Sequence, residues 1–130
     1  MTESIFEKGE RAPEAYFTGA TWVKNLVPED DVYNMVISNV VFEAGSRNHW
    51  HKHLSGQILI ATEGTGYYQE RGKPIQVLRV GDVIKIAPEV VHWHGASRDS
   101  SFTHIAINPN TENGTVEWME AVTDEEYNSL

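Results

Sequence analysis

Residues 45–64 read Gly45-Ser46-Arg47-Asn48-His49-Trp50-His51-Lys52-His53-Leu54-Ser55-Gly56-Gln57-Ile58-Leu59-Ile60-Ala61-Thr62-Glu63-Gly64. Histidines alternate with other residues in the first half of this stretch. A β-strand turns residues i and i+2 to one face, so His51 and His53 project side by side. Their backbones then lie roughly 6–7 Å apart. Imidazoles at that spacing can converge on one ion with bonds of about 2.0–2.2 Å. Gln57 follows as a fourth candidate ligand. A second pair of the same spacing occurs in His92-Trp93-His94, and His104 lies ten residues beyond it. These residues point to a metal site built on strands. His49 shares the parity of His51 and His53 but lies nearer the start of the strand, and we read it as a non-ligand.

The rest of the chain is strand-rich. Short β-like runs cover 21–27, 32–43, 48–53, 57–62, 66–70, 75–80, 82–87, 90–94, 102–108 and 115–119, separated by Gly, Pro, Asp and Ser turns such as Glu63-Gly64 and Gly81. Thr123 with Glu126 three residues on makes a capping box and predicts a short C-terminal helix. Many short strands at this spacing predict an all-β sandwich or small barrel. Residues 1–20 are turn-rich and read as an N-terminal arm; residues 21–130 read as one barrel domain. Behind the histidine faces the alternate positions are apolar, as at Trp50, Val91, Trp93, Ile58, Ile60 and Ile105. A strand apolar on both faces is covered on both sides. The outer cover is expected to be the arm or a second copy, which predicts a homodimer.

Composition limits the function. The 130 residues suit one domain, and 10 basic against 19 acidic residues leave a net charge of −9. Phosphate backbones are repelled on average, and no basic run appears, so no nucleic-acid partner is expected. The chain has no cysteine, which excludes disulfides, thiol nucleophiles and thiolate metal sites. No signal-peptide pattern opens the chain and no apolar run is long enough to span a bilayer. The expected location is the cytoplasm, with no membrane partner.

The spacing within 45–64 resembles the first motif of the cupin superfamily: Gly45, five residues, His51-x-His53, three residues, Gln57, six residues, Gly64. The family usually has Glu where Gln57 stands. The second motif runs from Gly81 to His92, eleven positions later, with Pro88 displaced by one, Glu89 in place of a glycine and Ala96 in place of a closing Asn. Further stretches, Gly19-Ala20, Gly81-Asp82-Val83, His92-Trp93-His94-Gly95-Ala96, 102–107 and 118–127, are similar to small manganese cupins that include the cupin-type hydroxynitrile lyases. The resemblance implies a conserved small β-barrel of jelly-roll, double-stranded β-helix type. It implies metal ligands at His51, His53, Gln57 and His92, and non-ligand pocket residues at His94 and His104. It also implies a pocket wall at Ser38, Val40 and Asn108 that governs substrate choice.

Three neutral imidazoles and a neutral amide would leave a bound cation its full 2+ charge. Amide oxygen is compatible with manganese, and imidazole suits manganese, iron, nickel or zinc; the resemblance implies manganese. Such a site could polarise a carbonyl or acidify a hydroxyl, with His94 and His104 moving protons. The leading expectation is a lyase or isomerase acting on a small hydroxy or carbonyl compound. A dioxygenase of the quercetin dioxygenase type shares every ligand, and a non-catalytic small-ligand-binding barrel is the third reading. No DNA-binding segment accompanies the barrel, so a transcription-factor role is not expected.

Overall fold

The computed structural model describes residues 4–130 as twelve strands, a 3-10 turn at Thr111–Asn113 and one α-helical turn at the C-terminus. The strands are β1 (Glu10–Arg11), β2 (Phe17–Thr18), β3 (Thr21–Val27), β4 (Val36–Phe42), β5 (Arg47–Asn48), β6 (His51–His53), β7 (Gln57–Glu70), β8 (Gln76–Arg79), β9 (Val83–Ile86), β10 (His92–Ala96), β11 (Phe102–Asn108) and β12 (Val116–Trp118); α1 spans Asp124–Tyr127. All pairings are antiparallel. One sheet runs β1-β3-β4-β11-β7-β9. The other runs β8-β7-β10, continuing to β5 and β6, on which β2 and β12 add.

β7 belongs to both sheets. The sequence predicts a break at Glu63-Gly64, and the structure has one continuous strand there. Its first half pairs with β11 and β9, and its second half with β8 and β10. The register slips by one residue between Thr103 and His104, where Thr62 is the extra residue, and Gly64 takes φ 73°. A bulge next to a left-handed glycine bends a strand without ending it. That bend curls the two sheets around a shared interior.

The run 48–53 departs in the opposite sense, because β5 and β6 are separated at His49-Trp50. The amide of His49 donates to the Tyr16 carbonyl, and that of Trp50 to Glu120. These bonds go to flanking segments rather than to the neighbouring strand, so the chain bends. The run 32–43 starts at Val36 because the Asp30 carboxylate accepts from the amides of Val32 and Tyr33 at 2.9 and 2.7 Å and holds a turn. β3 and β11 match their predicted limits.

The interior below the histidines is apolar, built from Phe42, Leu59, Leu78, Ile86, Phe102 and their neighbours. Behind β10 lies a second cluster of Trp50, Tyr67, Ile75, Trp93, Val122 and Tyr127. The cover on this face is the C-terminal segment, and not the arm or a second chain as the alternation suggested. The capping box forms as predicted, with Thr123 and Glu126 bonded reciprocally. Arg47 then holds the segment through Val122 O at 2.9 Å and Asp124 at 2.8 Å, and the Tyr127 hydroxyl donates to Ala96 O at 2.6 Å. On the other sheet Ile37, Ile58, Ile60, Ile105 and Ile107 face outward and are only partly buried. No helix among the described residues is long and apolar enough to cross a membrane.

Candidate metal centre

Strand pairing brings the histidines together. His92 lies directly opposite His51 across the β10–β6 ladder, and His53 is two residues along β6. Ring centroids are 4.3 Å apart for His51 and His92, 5.0 Å for His51 and His53, and 5.7 Å for His53 and His92. One nitrogen from each ring lies within 4.8 Å of the others. Gln57 enters from the opposite sheet at the start of β7. The turn before it needs Gly56, at φ 83°, where a β-carbon would press on the Ile86 carbonyl.

The hydrogen bonds orient the lone pairs. His51 Nδ1 is 2.7 Å from the His49 carbonyl, and His92 Nδ1 is 2.8 Å from that of Val90. A carbonyl only accepts, so each Nδ1 carries the proton and each Nε2 presents a lone pair. His92 Nε2 lies 3.4 Å from Gln57 Oε1, an acceptor facing an acceptor. His53 Nε2 is buried with no hydrogen-bond partner. Unpaired lone pairs aimed at one another inside a protein are costly. A cation between them removes the conflict, so these residues fit a divalent ion. Backbone carbonyls gripping the far ring nitrogen are the support that metal-bound histidines use.

Burial holds these rings neutral. Desolvation, then the neighbouring imidazoles, push His51 well below its ordinary value of 6.5. Desolvation and His92 bring His53 to about 3. His92 falls to about 4 by burial, partly offset by the Val90 carbonyl. Neutral imidazole is the form that binds metal.

His94 and His104 form a separate pair in the same cavity. His104 Nε2 is 3.0 Å from His94 Nδ1. Asn48 Oδ1 accepts from the His94 backbone amide at 2.9 Å, which turns the Asn48 amide group toward the His94 ring, 3.2 Å from Nε2. The same amide nitrogen lies 3.4 Å from His94 Nδ1, and one proton bridges His94 Nδ1 and His104 Nε2. His104 Nδ1 is buried without a partner. Burial lowers both rings, His104 to about 3. Phe42 packs edge-on to His94, with centroids 5.9 Å apart.

The cavity, about 220 Å³, is lined by His51, His53, Gln57, His94 and His104, with Ser38, Val40 and Asn108 in its wall. His92 stands behind, packed on Tyr68. The side chain of His49 is not part of this wall; only its carbonyl serves the site, through His51. Residues that sequence reasoning missed are Asn48, Phe17, Val116 and Trp118, which also line the cavity. Trp118 packs against His51 with ring centroids 4.7 Å apart and planes tilted by 39°. Strict alternation puts Asn48 outside with Trp50 and Lys52. The bend at His49-Trp50 reverses that parity, and only the bend could have revealed Asn48.

With fold and site in view, the chain belongs to the cupins. Its residues 40–127 match the family described as the AraC-like ligand binding domain. It is 38% identical over 117 residues to the (R)-mandelonitrile lyase of Granulicella tundricola, spanning 90% of this chain and 89% of that one. A cupin-like protein from Thermotoga maritima superposes with a TM-score of 0.96 at 50% identity, covering 98% of this chain and 96% of that one. A cupin 2 conserved barrel domain protein from Salinispora arenicola shares the fold at a TM-score of 0.58 and 24% identity, over 67% of this chain and 73% of its own.

Proposed function

We propose that this protein is a manganese-dependent lyase of the hydroxynitrile type, splitting a small cyanohydrin into its aldehyde and hydrogen cyanide. One observation carries the reading: the lone pairs of His51, His53, His92 and Gln57 converge beside a second, hydrogen-bonded histidine pair. The likeness to a mandelonitrile lyase supports the reaction class. A divalent ion held there would polarise the substrate oxygen and lower the pKa of its hydroxyl. The His94–His104 pair, its ring nitrogens 3.0 Å apart, accepts the hydroxyl proton. The electron pair of the O–H bond forms the carbonyl, the carbon–carbon bond breaks, and cyanide leaves with its electrons. The histidine pair returns the proton to cyanide, so no oxidant is consumed. Burial keeps the pair unprotonated at neutral pH, and the anion forming beside it raises its affinity for the proton.

The test is cleavage of mandelonitrile under strict anaerobiosis, before and after chelation and after manganese is restored. Turnover that is lost with the metal and regained with it supports the reading. Turnover that survives chelation with no metal in the protein removes it, and binding without product moves the protein to the ligand-binding class. The reading includes a homodimer through the outward isoleucines of β4, β7 and β11, to be checked by sedimentation equilibrium.

A further inference from the structure

A second cavity of about 210 Å³ lies against the first. It is bounded by the start of β4, the Ser55-Gly56 turn and the 109–115 loop, and is partly open to solvent. The two adjoin at a shared wall, or neck, formed by His53, Asn108 and Val116. The surface of the outer chamber is almost wholly carbon, contributed by Val36, Pro109 and Val116 among others. At the neck, Asn108 Oδ1 is buried and has no hydrogen-bond partner. No lysine or arginine lies among the described residues lining either chamber.

From this we infer that the outer chamber is the subsite for an uncharged apolar substituent of the substrate, about the size of one ring, whose oxygen lies at the histidine cluster. The inference rests on the proposed function only for the place of that oxygen. A carboxylate or phosphate in the outer chamber would meet no cationic side chain, and its desolvation would go uncompensated. A ring or branched alkyl group loses water-exposed surface against Val36 and Val116 and binds in proportion.

Saturation-transfer NMR on the metal-free chain tests this without requiring turnover. Benzyl alcohol is expected to bind about tenfold more tightly than isobutanol or benzoate, with its ring protons receiving more saturation than its carbinol protons. Val36→Trp fills the chamber and should remove that advantage. Val36→Ala enlarges it and should move the preference toward 2-naphthylmethanol, and this variant decides the matter if the tryptophan variant does not fold. Manganese added to the wild-type chain should relax the carbinol protons more strongly than the para ring proton. Benzoate binding as well as benzyl alcohol, or an unchanged preference in Val36→Ala, overturns the subsite. A chain that shows the preference yet neither binds manganese nor cleaves mandelonitrile retains the subsite and loses only the lyase reading.

Discussion

Two neighbouring groups of histidines differ in how their nitrogens are used. His51, His53 and His92 point unpaired lone pairs at a common centre, and backbone carbonyls hold the far nitrogens of His51 and His92. His94 and His104 spend theirs on each other and on Asn48. Both groups are desolvated and both are held neutral. Burial and residue type therefore do not separate the two groups. The partner of each second nitrogen does, and it is set by strand register and by local backbone.

The largest expected effect separates the two groups by variant. His104→Ala should lower kcat by about 10²–10⁴-fold, the usual worth of a proton-transfer group, with metal content unchanged. Equal loss of metal in that variant would merge the groups. His92→Ala should weaken manganese binding by at least about 100-fold, since loss of a residue that merely supports a ligand already costs about 10–100-fold. Equilibrium dialysis with metal analysis reads this directly.

Acid should expose what the groups have in common. Unfolded histidines titrate near 6.5, while folded His53 and His104 lie at about 3 and His92 at about 4. Between those values the unfolded chain binds more protons than the folded one. Stability is therefore fully present above about pH 6.5 and falls as the pH drops toward 4, by up to about 1.4 kcal/mol per pH unit for each such histidine. Urea unfolding of the metal-free chain at a series of pH values checks the sign. A flat profile from pH 7 to 4 would show that these rings are not desolvated in solution.

Two smaller effects sharpen the contrast. Gln57→Glu adds a negative charge to the cluster and should tighten manganese binding about tenfold while leaving the His94–His104 contact alone. Glu89 stands where the second motif usually has glycine, at φ 65°, with its amide on the His53 carbonyl at 2.9 Å. Glu89→Gly should relieve left-handed strain and raise stability by about 0.5 kcal/mol after the flexibility of glycine is counted, as read in the same urea titration.

Much of this was legible before any coordinates. The alternation at His51/His53 and His92/His94 carried the strands, and the glycine spacing around them carried the barrel. The capping box carried the last helix. Three features were not legible, and each depends on contacts distant in sequence. The strand at 57–70 continues through Gly64 because it changes sheets there. The chain bends at His49-Trp50 because Tyr16 and Glu120 accept its amides. The outer face of β10 is covered by a segment that Arg47 holds in place.

Local pattern alone determined the strand content and the choice of imidazole and amide as candidate ligands, because side-chain alternation and glycine conformational preference act over a few residues. Tertiary structure decided which nitrogens remain unpaired, that Asn48 faces inward and that a second chamber adjoins the first. Those outcomes rest on register between strands and on the packing of loops from opposite ends of the chain, and no short window of sequence contains both partners.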